Sequence, residues 1–184
     1  MSFEEYFVQR WYQDPVKSVR FAGASDAEPA PGVLEAIASA DAVLVAPSNP
    51  ITSIGPILSV PGIREALRNT RGKVAAVSPI VGNAPVAGPA GILMTAQGLP
   101  CSIVGVAKAY EDFLDLLVCD TRDVRAAEAL RKTGLRVQCA QTIMGSSEDR
   151  ADLARAVLSS TISGLLSDQP VSGKPAARTA SDLP

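Results

Sequence analysis

The stretch Asp41-Ala-Val-Leu-Val-Ala46, cut short by Pro47, constrains the fold more than any other part of this sequence. So short and continuous an apolar run suits a strand covered on both faces, the habit of parallel sheets. The same unit recurs. Lys73 to Ser78 reads as a strand ending at Pro79, followed by strands over Leu116 to Cys119 and Arg136 to Cys139. A looser alternation predicts a further strand over Val16 to Ala22. Helical patterns fall between them. One is opened by Pro31, with Val33, Ile37 and Ala40 on its stripe; another covers 61–68 behind Pro61. Others cover 88–97, 102–110 and 122–132, the last with Val124, Ala127 and Leu130 on one side. A final helix over about 149–165 would turn Leu153, Val157, Leu158, Ile162 and Leu165 inward. A short one over 3–12 would align Phe3, Phe7 and Trp11.

Strands alternating with helices predict an α/β domain, with a mostly parallel sheet, flanking helices and right-handed crossovers. It would occupy residues 1–166 of the 184. From Ser167 the chain turns to proline and small residues without periodicity, which predicts a disordered tail over 167–184.

Composition removes whole classes of chemistry. There is no histidine, so Ser-His-Asp and Cys-His nucleophile pairs and imidazole zinc sites are excluded. A net charge of −2 gives no basic excess for a nucleic acid, and 4% aromatic residues are too few for a base-stacking platform. Prolines 47, 50, 56 and 61 interrupt the uncharged stretches, so no membrane span is expected. Cys101, Cys119 and Cys139 form no C-x-x-C pair, and an odd count argues against a disulfide framework. They read as core thiols in a cytoplasmic protein.

Ligands of open α/β sheets bind outside the carboxyl ends of the strands. The segment that follows the clearest strand, Pro47 to Pro56, is stiffened by three prolines and carries Ser48, Asn49, Thr52 and Ser53. Such donors near a helix start suit a phosphate or diphosphate, and they equally suit a rigid turn with Ser and Asn as caps. No G-K-[ST] follows, so this is not a P-loop. Arg64, one helix on, could fork onto a phosphate or pair with a neighbouring acid such as Glu65. Gly82 and Asn83 follow the next strand at the same sheet edge, where a turn alone would also explain them. Asp120 and Asp123 follow the Leu116 strand and could hold Mg²⁺, or Asp120 or Thr121 could cap the helix behind them.

The run Pro47-Ser48-Asn49-Pro50, Ser53-Ile54-Gly55-Pro56-Ile57-Leu58, Val60-Pro61-Gly62-Ile63-Arg64 and Ala66-Leu67 resembles the signature stretch of the 2-phospho-L-lactate transferases. The resemblance continues through Val77-Ser78-Pro79-Ile80-Val81-Gly82 and Gly88-Pro89-Ala90, and covers roughly 2–165. It implies a Rossmann-like three-layer fold and a late step in making the deazaflavin coenzyme F-420. A phospholactyl or phosphoenolpyruvyl group would pass from a guanosine diphosphate ester to a hydroxyl of the deazaflavin Fo, releasing GMP, with Mg²⁺ as cofactor. The related gluconeogenesis-factor proteins imply an alternative, a nucleotide-sugar-binding regulator. Their loop is of Gly-Ser-Leu-Tyr-Thr-Ser type, so Ser48-Asn49-Pro50 favours the transferase.

Two departures from the family pattern shape the expectation. Ala87 stands before Gly88-Pro89, where relatives often carry a basic residue. Family members open on a strand and a Gly-Gly-x-Gly-Gly loop, and this chain starts where their second half would. The expectation is therefore a sheet truncated at its N-terminal side, as a catalytically incomplete C-terminal fragment or a homologue that has lost the activity, in a homodimer or beside a separate chain that supplies the missing half.

Overall fold

The structure, a computed structural model, describes residues 1–167, with side chains as far as 162. The tail expected over 167–184 and the inward Leu165 fall outside these bounds, apart from Ser167, whose backbone ends the last helix. Four strands form a parallel sheet: β1 (Ala42–Val45), β2 (Lys73–Val77), β5 (Leu116–Asp120) and β6 (Arg136–Ala140), side by side in that order. A two-stranded antiparallel hairpin, β3 (Ile80–Val81) and β4 (Ala84–Pro85), stands apart from it. The α/β class and the parallel sheet are as the sequence predicts.

Each pair of neighbours is joined through helix: α2 (Ile54–Leu58) and α3 (Ile63–Asn69), then α4 (Ala90–Ala96) and α5 (Ile103–Ala109), then α6 (Val124–Lys132). All pack on one face, over Val74, Ala76, Leu117, Cys119 and Val137, and α1 (Val33–Ser39) joins them beside α3. That is what crossovers of a single hand require when every step runs the same way along the sheet. The opposite face, Ala75, Val77, Leu116 and Val118, is covered by Leu153 and Val157 of α7 (Ser147–Ser167). Helices α1 and α3 begin two residues after Pro31 and Pro61. Gly32 and Gly62, at φ 84° and 86°, turn the chain into each helix, a left-handed geometry that glycine adopts without steric cost.

Four expectations are corrected. Val16 to Ala22 pairs with no strand. Its alternation is present, with Val16, Val19 and Phe21 half-buried, but the segment lies over the helical layer, where Gln97 Nε2 donates to the Val19 carbonyl at 3.0 Å. The front helix is a π-helical turn over Glu5–Gln9 in which Tyr6 alone is buried. Its wider spacing leaves Phe3, Phe7 and Trp11 exposed, and Tyr12 folds back to stack on Phe7. On α6, Ala127 and Leu130 are buried while Val124 is exposed, because Thr121–Asp123 form a 3-10 turn first. On α7 the inward positions are Leu153, Val157 and Thr161, whereas Leu158 and Ile162 face out.

Cys119 and Cys139 stand opposite each other on β5 and β6, with sulfurs 3.8 Å apart and both thiols free. Burial, reinforced by Cys139, pushes the Cys119 thiol up to about 12. No helix among the described residues is long and apolar enough to cross a membrane.

Candidate functional site

The carboxyl ends of the strands bring four segments into a row: Ala46 to Ser53 after β1, Ser78 to Asn83 after β2, Thr121 to Asp123 after β5 and Gln141-Thr142 after β6. Neighbouring strands lie about 4.8 Å apart, so the first and third segments are separated by roughly 10 Å.

Asn49 builds the first segment. Its Oδ1 accepts from the N–H of Ile51 at 2.9 Å and of Thr52 at 3.3 Å, and its carbonyl accepts from Ser53 and Ile54 at 3.0 Å each. The amide thus holds a tight turn that runs straight into α2, with Pro50 and Ile51 buried beneath it. Ser48 is half-buried. Ser53 stands at the α2 cap position, exposed, and its hydroxyl makes no capping bond. Of the two uses open to this loop, Asn49 serves the turn, while Ser53 leaves its hydroxyl to solvent or a ligand.

The second segment is clamped from the third. Ser78 hydrogen-bonds back onto Ile80, and the Gly82 N–H donates to both Asp123 oxygens at 3.1 and 3.0 Å. Gly82 and Asn83, at φ 57° and 64°, make the tight hairpin turn between β3 and β4. Arg64 lies away from this row. Its guanidinium pairs with Asp112, donates to the Ala109 carbonyl at 3.3 Å and sits over the Phe113 ring at 5.3 Å. It borders a cavity of about 250 Å³ behind the loop, between Phe21, Ile51, Gly55 and Tyr110. A larger groove, about 610 Å³, opens between β6 and α7 beside Gly134, Leu135 and Arg136, where β6 begins and away from the row.

Asp120 is fully buried. One oxygen accepts from the Arg122 N–H at 3.1 Å and Nε at 2.8 Å, the other from the Thr142 N–H at 3.2 Å and Oγ1 at 3.1 Å. Burial opposes its ionisation, but the bonds from Arg122 and Thr142 outweigh it and hold the carboxyl below its usual range. Both oxygens are therefore committed, and among the described residues no three acidic or thiol groups gather to hold a metal. As it stands, Asp120 has no free oxygen to offer the magnesium that the resemblance implies. Asp123, the second carboxylate the sequence offers to a metal, instead holds the Gly82 N–H, and Asp112 and Thr142 carry no role in the sequence reading. A threonine just past a strand end is a signal that could have marked Thr142; Asp112 acts on Arg64, 48 residues away in sequence.

Residues 1–160 match the family model of 2-phospho-L-lactate transferase CofD. The chain belongs to this family. It is 48% identical over 158 residues to the 2-phospho-L-lactate transferase of Methanosarcina barkeri, which covers 86% of this chain and 50% of the relative. The enzymes of Methanosarcina acetivorans and Methanothermobacter thermautotrophicus are 49% and 45% identical, with 86% of this chain and 51% and 50% of theirs covered. The chain thus spans about half the length of these transferases. A crystal structure of a UPF0052 protein from Bacillus halodurans superposes with a TM-score of 0.48 at 19% identity, over 72% of this chain and 48% of that one.

Proposed function

We propose that the chain carries the donor-phosphate side of a phospholactyl transferase. In this reading the acceptor hydroxyl of Fo attacks the phospholactyl (or phosphoenolpyruvyl) phosphorus of a guanosine diphosphate ester. A new P–O bond forms, the bond to the bridging oxygen breaks, GMP leaves with that electron pair, and the hydroxyl proton passes to solvent. Such transfers depend on positioning and charge stabilisation more than on covalent chemistry. Phosphate would lie against the Ser48 and Ser53 hydroxyls in the turn that Asn49 shapes. The Gly82-Asn83 hairpin forms the neighbouring wall, and Arg64 braces the helices behind. Magnesium would spread the diphosphate charge, with ligands other than the committed Asp120. A cytoplasmic site accords with three free cysteines.

One observation carries the reading: a proline-stiffened loop, closed by Asn49 and presenting Ser53, at the carboxyl end of an apolar strand in a member of this family. Calorimetric titration of GDP and GMP tests it. Ser53→Ala should weaken binding about tenfold or more, since a hydrogen bond to a charged group contributes roughly 1.5–3 kcal/mol. Asn49→Ala should weaken it at least as much by loosening the turn. Affinities equal to wild type in both variants would take the loop out of the site.

A further inference from the structure

The two edges of the sheet differ in character. β6 alternates exposed Arg136 and Gln138 with covered Val137 and Cys139, as a strand that ends a sheet does. β1 is apolar throughout, the pattern of an interior strand, yet among the described residues it has a neighbour on one side only. Val43 and Val45 pack into the core under the helical layer. Leu44 points to the other face, in the row of Ala75, and is 44% exposed.

Among the described residues that face carries one helix, α7, which lies over β2 and reaches β6. Arg136 Nη2 donates to the Ser160 carbonyl at 3.0 Å, which fixes the flank of α7 that faces β6. At about 100° per residue, Leu158 and Ile162 emerge on the opposite flank, toward β1. They are 42% and 46% exposed. A helix packed beside α7 would sit about 8–10 Å away, or two strand spacings, over β1 and a strand beyond it. On the opposite face, α1 packs against α3 without fully burying any of its own residues.

Strand order sharpens the point. Each step from β1 to β2 to β5 to β6 runs in one direction, so the described strands contain no reversal. Ligand crevices in open α/β sheets form where the order reverses. The loop behind β1 is then half of a crevice, and a strand on the free side of β1 supplies the other half.

We infer that the β1 edge, Leu44 and the α7 flank bearing Leu158 and Ile162 form a docking surface for a strand–helix unit. The unit adds a strand to β1 and lays an apolar helix face beside α7. Its source is the half of the family chain that this sequence does not span, since matched relatives are about twice the aligned length. The choice of occupant rests on the family reading; the surface itself rests on geometry.

The full chain is co-expressed with a tagged half of the M. barkeri transferase, the half without a counterpart here, and complexes are recovered on the tag and sized. A one-to-one complex is expected. Leu44→Lys and Leu158→Glu should each cut its recovery by about tenfold or more, because a charge is then buried without a partner. Val104→Glu, on α5, should not. Both test positions are exposed, so the melting temperature of the chain alone should barely change. Undiminished recovery with Leu44→Lys and Leu158→Glu would overturn the inference, as would soluble halves that never associate. So would a dimer of this chain alone that Leu44→Lys dissolves, which would assign the surface to a second copy. GDP affinity of the chain alone is read separately, so failure of the loop and failure of the surface are told apart.

Discussion

Asp120 and Thr142 are joined twice, since the threonine donates both its backbone N–H and its hydroxyl to one buried carboxylate oxygen. The contact ties the end of β5 to the chain leaving β6, while Arg122 fills the other oxygen. The folded carboxyl titrates below its unfolded value. Its stabilisation is therefore fully present above the ordinary carboxylate value, about 3.9, and is lost as pH falls through the lower folded value. Asp120→Asn should cost about 1.5–3 kcal/mol near neutrality, with the gap from wild type closing below about pH 4. Urea denaturation of both proteins at several pH values checks it. A gap that stays constant down to pH 3 would show that the negative charge contributes nothing.

Gly105 lies in the middle of α5, where alanine is ordinarily the better helix former by about 1 kcal/mol. A methyl group there would run into the Pro100 carbonyl and come within 2.8 Å of Met94 Cε. A backbone carbonyl that also accepts the Ser102 N–H at 2.8 Å has little room to move. Gly105→Ala should destabilise the protein by about 1–3 kcal/mol despite its better propensity. An unchanged or raised denaturation midpoint would mean that the α4–α5 connection yields.

The parts of this fold legible in the sequence are those in which a residue's pattern reports its own burial. β2 and β5 are apolar because both their faces are covered. The pattern does not name neighbours, and there it misleads. Val16 to Ala22 alternates like a strand but has no strand to pair with, and Leu158 and Ile162 are apolar yet face out. In the site, the Asn49 turn is legible because its bonds reach only two to five residues along the chain. The commitments of Arg64 to Asp112 and of Gly82 to Asp123 span 48 and 41 residues, and only the folded chain reveals them.

Asp123 is buried and takes the Gly82 N–H with both oxygens, which fixes the β3–β4 hairpin against the end of β5. The hairpin has two residues per strand and a turn of two left-handed residues, too little to be stable by itself. Asp123→Ala removes the acceptor and should cost about 1–3 kcal/mol. Exchange of the Gly82 amide, followed by NMR, should speed up by about tenfold or more, the factor that corresponds to roughly 1.4 kcal/mol. Asp123→Asn keeps one carbonyl oxygen in place and should recover much of the protection. Because the hairpin stands beside the Asn49 loop, GDP affinity should fall in Asp123→Ala and return in Asp123→Asn. Unaltered Gly82 exchange in Asp123→Ala would show that the strand pairing of Ile80 with Pro85 and Val81 with Ala84 holds the hairpin without the clamp.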